Sequence, residues 1–161
     1  MKTIDIYGDN RFEKQTKTRV ACRGIVISDG KILMSYEVKT DQWFIPGGGL
    51  ENDENLEECC VRELAEETGY AVKPTRQLLT IHEYYEEWFF ISHYFVCEVT
   101  GSTKRNLTKR ELEVGLEPRW IPLEEAVEIF SKHQDYADTD EMKRGAYLRE
   151  YNALSYFMQL K

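Results

Sequence analysis

Residues 55–69 spell out both ends of a helix, and three consecutive glycines stand just ahead of it. Asn55 can cap the N-terminus, Glu58 three positions later can complete a capping box, and Gly69 is the usual residue for a left-handed C-terminal cap. Between them Leu56, Cys60 and Leu64 recur every fourth residue, so the helix offers one narrow apolar stripe, which a sheet can cover. Cys59 and Cys60 then read as small apolar residues beside that stripe.

The flanking segments read as strands. Val20 to Ile27 is a buried-strand run, and Asp29-Gly30 followed by Lys31 to Tyr36 signals a tight hairpin. Trp43-Phe44-Ile45 looks like a short strand running through Pro46 into Gly47-Gly48-Gly49, a loop expected to use positive φ and to approach a ligand closely. After Gly69, strands are expected over Leu78–Tyr84 and Trp88–Val99 with a turn at Tyr85-Glu86-Glu87. The second has apolar residues on both faces and reads as a central strand. Gly101–Arg110 is polar and basic, and reads as a loop. Trp120–Leu123 looks like a short strand leading into a helix from Glu124 to about Lys132, and Tyr147, Tyr151, Leu154 and Met158 mark a last helix over Glu141–Gln159. With 161 residues, no repeats and no linker, one domain over 1–161 is expected, with its core at about 19–130 and the terminal helix at about 141–159.

Charge narrows the partners. Twenty-one Lys and Arg against 29 Asp and Glu leave −8, which repels bulk nucleic acid and anionic membranes. The first nine residues hold no apolar leader segment and no run is long enough to cross a bilayer, so a soluble cytoplasmic protein is expected. Cys22, Cys59, Cys60 and Cys97 contain neither a C-x-x-C pair nor zinc spacing, which fits reduced thiols.

On the central helix Glu63, Glu66 and Glu67 share one face. Side by side, these carboxylates repel one another by a few tenths of a kcal/mol per pair; a hard divalent cation such as Mg²⁺ or Mn²⁺ would reverse the sign. Taken alone, the helix reads more simply as a solvated acidic face, because charge runs are common.

The wider spacing adds information. Gly48, five residues, Glu54, seven residues, then Arg62-Glu63-Leu64-x-Glu66-Glu67-x-Gly69-Tyr70 resembles the Nudix box, the 23-residue signature of the MutT-like Nudix hydrolases, with an aromatic where the family usually has an aliphatic residue. Trp43 to Gly48 is similar to the family's lead-in, and Trp120 to Ala126 to its late strand-to-helix step. The resemblance implies an α/β/α sandwich with a mixed sheet and a loop-helix-loop catalytic motif. It further implies water attack on a phosphorus of a nucleoside diphosphate derivative. By the same resemblance Glu63, Glu66, Glu67 and the Gly47 carbonyl would hold Mg²⁺ or Mn²⁺, Arg62 would orient the carboxylates, and Glu54 would pair with Arg62 or join the outer metal shell. The general base would be a glutamate of the box or of a later loop; Glu113 is favoured over Glu111, Glu86 and Glu87 by its place before the Trp120 strand.

For substrate, the resemblance implies close approach at Gly48, a phosphate contact for Arg23, whose guanidinium suits phosphate oxygens, and stacking of a base or ribose on Phe44 and Tyr36. The alternatives are an edge ion pair for Arg23 and ordinary packing for the two aromatics. Tails and motifs typical of the NADH-cleaving and coenzyme A branches are missing. Tyr84 and Tyr85 faintly resemble the dinucleoside polyphosphate branch. The aromatic stripe of the last helix fits core packing or a homodimer. A competing function is a Nudix-fold module that senses a nucleotide or nucleotide sugar without cleaving it; such modules often lose box carboxylates, and all are present here.

Overall fold

The computed structural model describes residues 1–161. Its elements in chain order are β1 (Thr3–Tyr7), β2 (Lys17–Ser28), β3 (Lys31–Glu37), β4 (Gln42–Phe44), β5 (Gly47–Gly49), α1 (Leu56–Thr68), β6 (Tyr70–Tyr85), β7 (Trp88–Ser102), α2 (Lys109–Val114), β8 (Leu116–Pro122), α3 (Leu123–Ser131), a 3₁₀ turn (His133–Tyr136) and α4 (Glu141–Gln159).

Hydrogen bonding links the strands in the order β1-β6-β7-β2-β3-β4, with β5 added to β2 and β8 to β3. The sheet is mixed: β1–β6 and β2–β7 run parallel, while the other pairs are antiparallel. The Asp29-Gly30 hairpin forms as expected, both residues taking positive φ. Yet β2 and β3 pair only at Ile27↔Ile32 and Ser28↔Lys31, then diverge, and the gap is filled by β5 on β2 and by β4 and β8 on β3.

One apolar cluster joins Cys60 and Leu64 of α1 to Cys22, Val26, Leu33, Phe95 and Cys97. A larger one joins Phe130 of α3 and Tyr147, Leu154 and Phe157 of α4 to Ile25, Met34, Ile81 and Tyr94. Strand alternation sends neighbouring residues to opposite clusters, which makes the α/β/α sandwich. All four cysteines are free thiols in buried positions.

Several expectations need correction. Gly47–Gly49 is an extended strand, and none of the three has positive φ. Close packing is what excludes side chains there: a Cβ on Gly47 would fall 2.2 Å from the Cys22 carbonyl oxygen, and one on Gly48 2.5 Å from the Glu63 carboxylate. β6 starts at Tyr70 rather than Leu78, continuing through Pro74 by means of bulges. Edge strand β1 is too short to have shown a pattern. The polar segment after Gly101 ends in α2, whose boundaries were written at Thr108, Glu111 and Gly115 as a capping box and a left-handed cap. On α4, Met158 is 37% exposed, and Phe157 takes the buried place one residue earlier.

Candidate active site

Helix α1 begins as its sequence predicts. Asn55 and Glu58 form the reciprocal capping box, and Gly69 closes the other end at φ 76°. That phase leaves Leu64 under the sheet and turns Arg62, Glu63, Glu66 and Glu67 toward β5 and β3. Tyr70 packs edge-on against Trp120 and accepts a 3.0 Å hydrogen bond from its indole.

Arg62 organises the acidic face. It donates to both oxygens of Glu54 at 3.0 and 2.7 Å, to Glu63 at 2.9 Å, to Glu66 at 3.2 Å and to the Gly49 carbonyl at 2.9 Å. The paired guanidinium holds Glu54 down at about 2. The opposite shift occurs at Glu67, which is 7% exposed and is pushed up to about 8, first by burial and then by the charges of Glu63 and Glu111. Burial also raises Glu63. Glu67 Oε1 accepts from the Ser35 hydroxyl at 3.0 Å and from the Gly47 N–H at 3.3 Å, so β3 and β5 together set its position.

Three carboxylates, Glu54, Glu63 and Glu66, therefore share one guanidinium, in a hydrogen-bonded arrangement that leaves negative charge uncompensated. No three His, Cys, Asp or Glu side chains are already drawn together at coordinating distance; Arg62 lies among the acids instead. The donor set is all oxygen, and the side-chain-free Gly48 opens directly onto Glu63, so the residues fit a hard divalent cation.

The other site candidates divide. Ser35 and Phe44 are cross-strand partners, as are Tyr36 and Trp43. Directly opposed residues share a face, so Phe44 lies on the Glu67 side of β3 and Tyr36 on the far side. There Tyr36 packs on Trp43 at 4.3 Å, lies beneath Arg119 and donates to Asp41 at 2.6 Å. It is not brought to the acidic face. Arg23 donates to the Ile45 carbonyl at 3.3 Å, next to the glycine strand, and its charge reaches Glu67. Glu113 is exposed, whereas Glu111 is half-buried and is the α2 acid whose charge bears on Glu63 and Glu67. His82 is occupied with Asp5 at 3.3 Å, and His93 with Gln77 and Thr80 at 3.1 and 3.0 Å. Sequence reasoning did not single out Ser35, which carries no local signal, and ranked Glu111 below Glu113 although the capping box marks its place.

Fold and site together define a class: an α/β/α sandwich in which a glycine strand faces a carboxylate helix. Residues 17–143 match the NUDIX domain, and the chain belongs to that family. A NUDIX hydrolase from Nitrosomonas europaea superposes with a TM-score of 0.59 at 20% identity, covering 85% of this chain and 90% of that one. The E. coli ORF135 protein gives 0.54 at 22%, covering 89% and 91%. Among curated relatives, mouse diphosphoinositol polyphosphate phosphohydrolase 3-alpha is 29% identical over 106 residues, covering 66% of this chain. The chain aligns with 63% of that relative's length.

Proposed function

We propose that the protein is a divalent-metal-dependent hydrolase of the pyrophosphate linkage in nucleoside diphosphate derivatives, acting as one domain over residues 1–161 in the cytosol. The observation that supports this most is the acidic face at α1, where Glu54, Glu63 and Glu66 are gathered by a single guanidinium and Glu67 is held by Ser35 and the Gly47 N–H, beside a strand with no side chains. Glu63, Glu66, Glu67 and the Gly47 carbonyl would hold Mg²⁺ or Mn²⁺. Bound cations supply neutralisation of the diphosphate and acidification of a water. Arg62 orients the carboxylates, and Ser35 with the Gly47 N–H orients Glu67. Phe44 is on the side where a base or ribose would lie. Glu111 replaces Glu113 as the proposed general base: its Oε1 accepts from the Thr108 N–H at 2.9 Å, which leaves Oε2 to take a proton.

The curated relatives' names share the diphosphate with this reading and attach it to an inositol polyphosphate. A substrate panel with Mg²⁺ or Mn²⁺ should therefore include nucleotide sugars, dinucleoside polyphosphates and diphosphoinositol phosphates, read by release of phosphate or nucleoside monophosphate. Glu67→Gln should lower turnover by at least about 10²-fold, the upper range for losing even a ligand's supporting partner. Its circular dichroism should stay unchanged, because Gln retains an acceptor for Ser35 and Gly47. Failure of the wild type to cleave any member of the panel would favour the sensing module instead.

A further inference from the structure

Strand β4 ends the sheet: it pairs with β3 on one side and with no strand on the other. Successive residues of an antiparallel strand turn their N–H and carbonyl groups to opposite sides, and the amides of Trp43 and Ile45 are on the side away from β3. Away from solvent, such donors need another acceptor. Helix α4 supplies both. The Trp43 N–H donates to the Tyr147 hydroxyl at 3.1 Å, and the Ile45 N–H donates to Glu150 Oε2 at 2.6 Å. Tyr147 and Glu150 are three residues apart and share a helix face, so that face takes the place of the missing strand.

Both acceptors are held firmly. Glu150 and Tyr147 are 0% and 2% exposed. Glu150 Oε1 accepts from the Tyr94 hydroxyl of β7 and from Arg149 Nε at 3.2 Å, and Arg149 in turn reaches Glu83 of β6 at 3.5 Å. Tyr147 packs edge-on against Phe130 and Tyr136, at 5.1 and 5.6 Å. Docking α4 does not require a buried carboxylate, since Ala153, Leu154 and Phe157 already bury its apolar face. A carboxylate withdrawn from water is costly unless every lone pair is used, yet Glu150 commits one oxygen to the backbone of an edge strand.

The chain beyond β4 leads straight into the acidic site. After Ile45 come Pro46, whose ring fixes φ, and Gly47. Strand β5 bonds to β2 through the Gly24 N–H on the Pro46 carbonyl and the Leu50 N–H on the Val20 carbonyl, at 3.0 and 2.9 Å. Alternation therefore turns the N–H and the carbonyl of Gly47 away from β2, and the N–H meets Glu67 Oε1 at 3.3 Å. A displacement of Ile45 is passed through one stiff residue to Gly47. We propose that Tyr147 and Glu150 are positioning residues: by fixing the Trp43 and Ile45 amides they set Gly47 against Glu67, and the terminal helix thereby sets the affinity of the acidic face for its cation. This rests on the reading of Glu67 and the Gly47 carbonyl as cation ligands.

Three variants test it. Tyr147→Phe removes the acceptor of the Trp43 amide and keeps the packed ring. Glu150→Met removes the acceptor of Ile45 at similar length, and Glu150→Gln restores an acceptor without the charge. Hydrogen exchange at the Gly47 amide requires neither metal nor substrate. Measured against the amide of buried Ile25, it should accelerate about tenfold in Tyr147→Phe and Glu150→Met, as loss of one hydrogen bond allows, and much less in Glu150→Gln. Equal acceleration at Gly47 and Ile25 would report a loss of global stability alone and overturn the proposal. Calorimetric titration with Mn²⁺ should show affinity weakened about tenfold in the same two variants, the lower end for losing a ligand's supporting partner, and close to wild type in Glu150→Gln. Unchanged Mn²⁺ affinity in Tyr147→Phe would also overturn it, and this variant decides the matter if Glu150→Met does not fold. With a hydrolysed substrate and saturating Mn²⁺, Tyr147→Phe should lower kcat and leave KM unchanged; a raised KM with unchanged kcat would assign α4 to the substrate pocket instead. A wild type that binds no Mn²⁺ would sink the reading of the acidic face, whereas a wild type that binds it as tightly as the variants do would sink only the role of α4.

Discussion

At the scale of single residues, burial decides which charges the fold tolerates. His93 sits on β7 with Nδ1 facing the amide nitrogen of Gln77 and the hydroxyl of Thr80. An amide nitrogen can only donate, so Nδ1 accepts and the ring is neutral. Burial, with His82 nearby, lowers its pKa below the ordinary value of 6.5. The unfolded chain then binds the proton more readily than the folded one, so stability contributed by neutral His93 is complete above pH 6.5 and is lost as the pH falls through the folded pKa. Urea unfolding of the wild type should show this decline, at most about 1.4 kcal/mol per pH unit for one proton, and His93→Gln should flatten it. Gly48→Ala is the residue-scale test of the glycine strand. The added methyl meets the Glu63 carboxylate, so activity should fall more than stability, since the carboxylate can swing aside but then leaves Arg62. The box acids were legible in the sequence because a helix places them by spacing alone. Ser35 and the face on which Arg23 lies were not, because long-range pairing of β3 with β4 and of β2 with β7 decides which faces they join.

At the scale of elements, α1 and α2 are built alike and anchored differently. Each opens on a reciprocal capping box and ends on a glycine with positive φ. Helix α1 buries Cys59, Cys60, Leu64 and Glu67, whereas α2 buries nothing. Removing a cap costs about 1 kcal/mol in either case, but the cost should appear in different places. Asn55→Ala should lower the thermal midpoint by about 2–4 °C, because α1 unfolds with the whole domain. Thr108→Ala should barely move the midpoint, because α2 can fray by itself. If Glu111 is the base, Thr108→Ala should nevertheless reduce kcat, since Thr108 supplies the backbone and side-chain partners that hold Glu111. Scanning calorimetry beside steady-state kinetics on both variants checks the contrast. The expected glycine loop became a strand for a related reason: the lettering marked a backbone without side chains, and only the packing of β5 between Cys22, Arg23 and Glu63 showed why.

Across the whole molecule, the surplus of negative charge has to be reconciled with an anionic substrate. The formal net charge of −8 counts Glu54, Glu63, Glu66 and Glu67 as ionised, although burial and the neighbouring acids already push Glu67 up to about 8. Long-range repulsion at the acidic face is screened within about 8–10 Å at ordinary ionic strength, but Glu63 and Glu66 both reach the same nitrogen of Arg62, at 2.9 and 3.2 Å, a separation at which screening does little. The folded protein therefore holds a self-repelling site that the unfolded chain, with the same acids dispersed, does not. A cation that binds only the folded site should stabilise it by mass action, about 2.7 kcal/mol at a hundred times its Kd. Mg²⁺ or Mn²⁺ should accordingly raise the thermal midpoint by several degrees in a saturable way, whereas NaCl at matched ionic strength should produce only a small, unsaturated change. Glu66→Gln should weaken the divalent response while raising the midpoint of the metal-free protein, because it removes one member of the repelling set. A divalent response as weak as that of NaCl, or one unaltered by Glu66→Gln, would mean that the acidic face is merely solvated and that Arg62 alone suffices to hold it together.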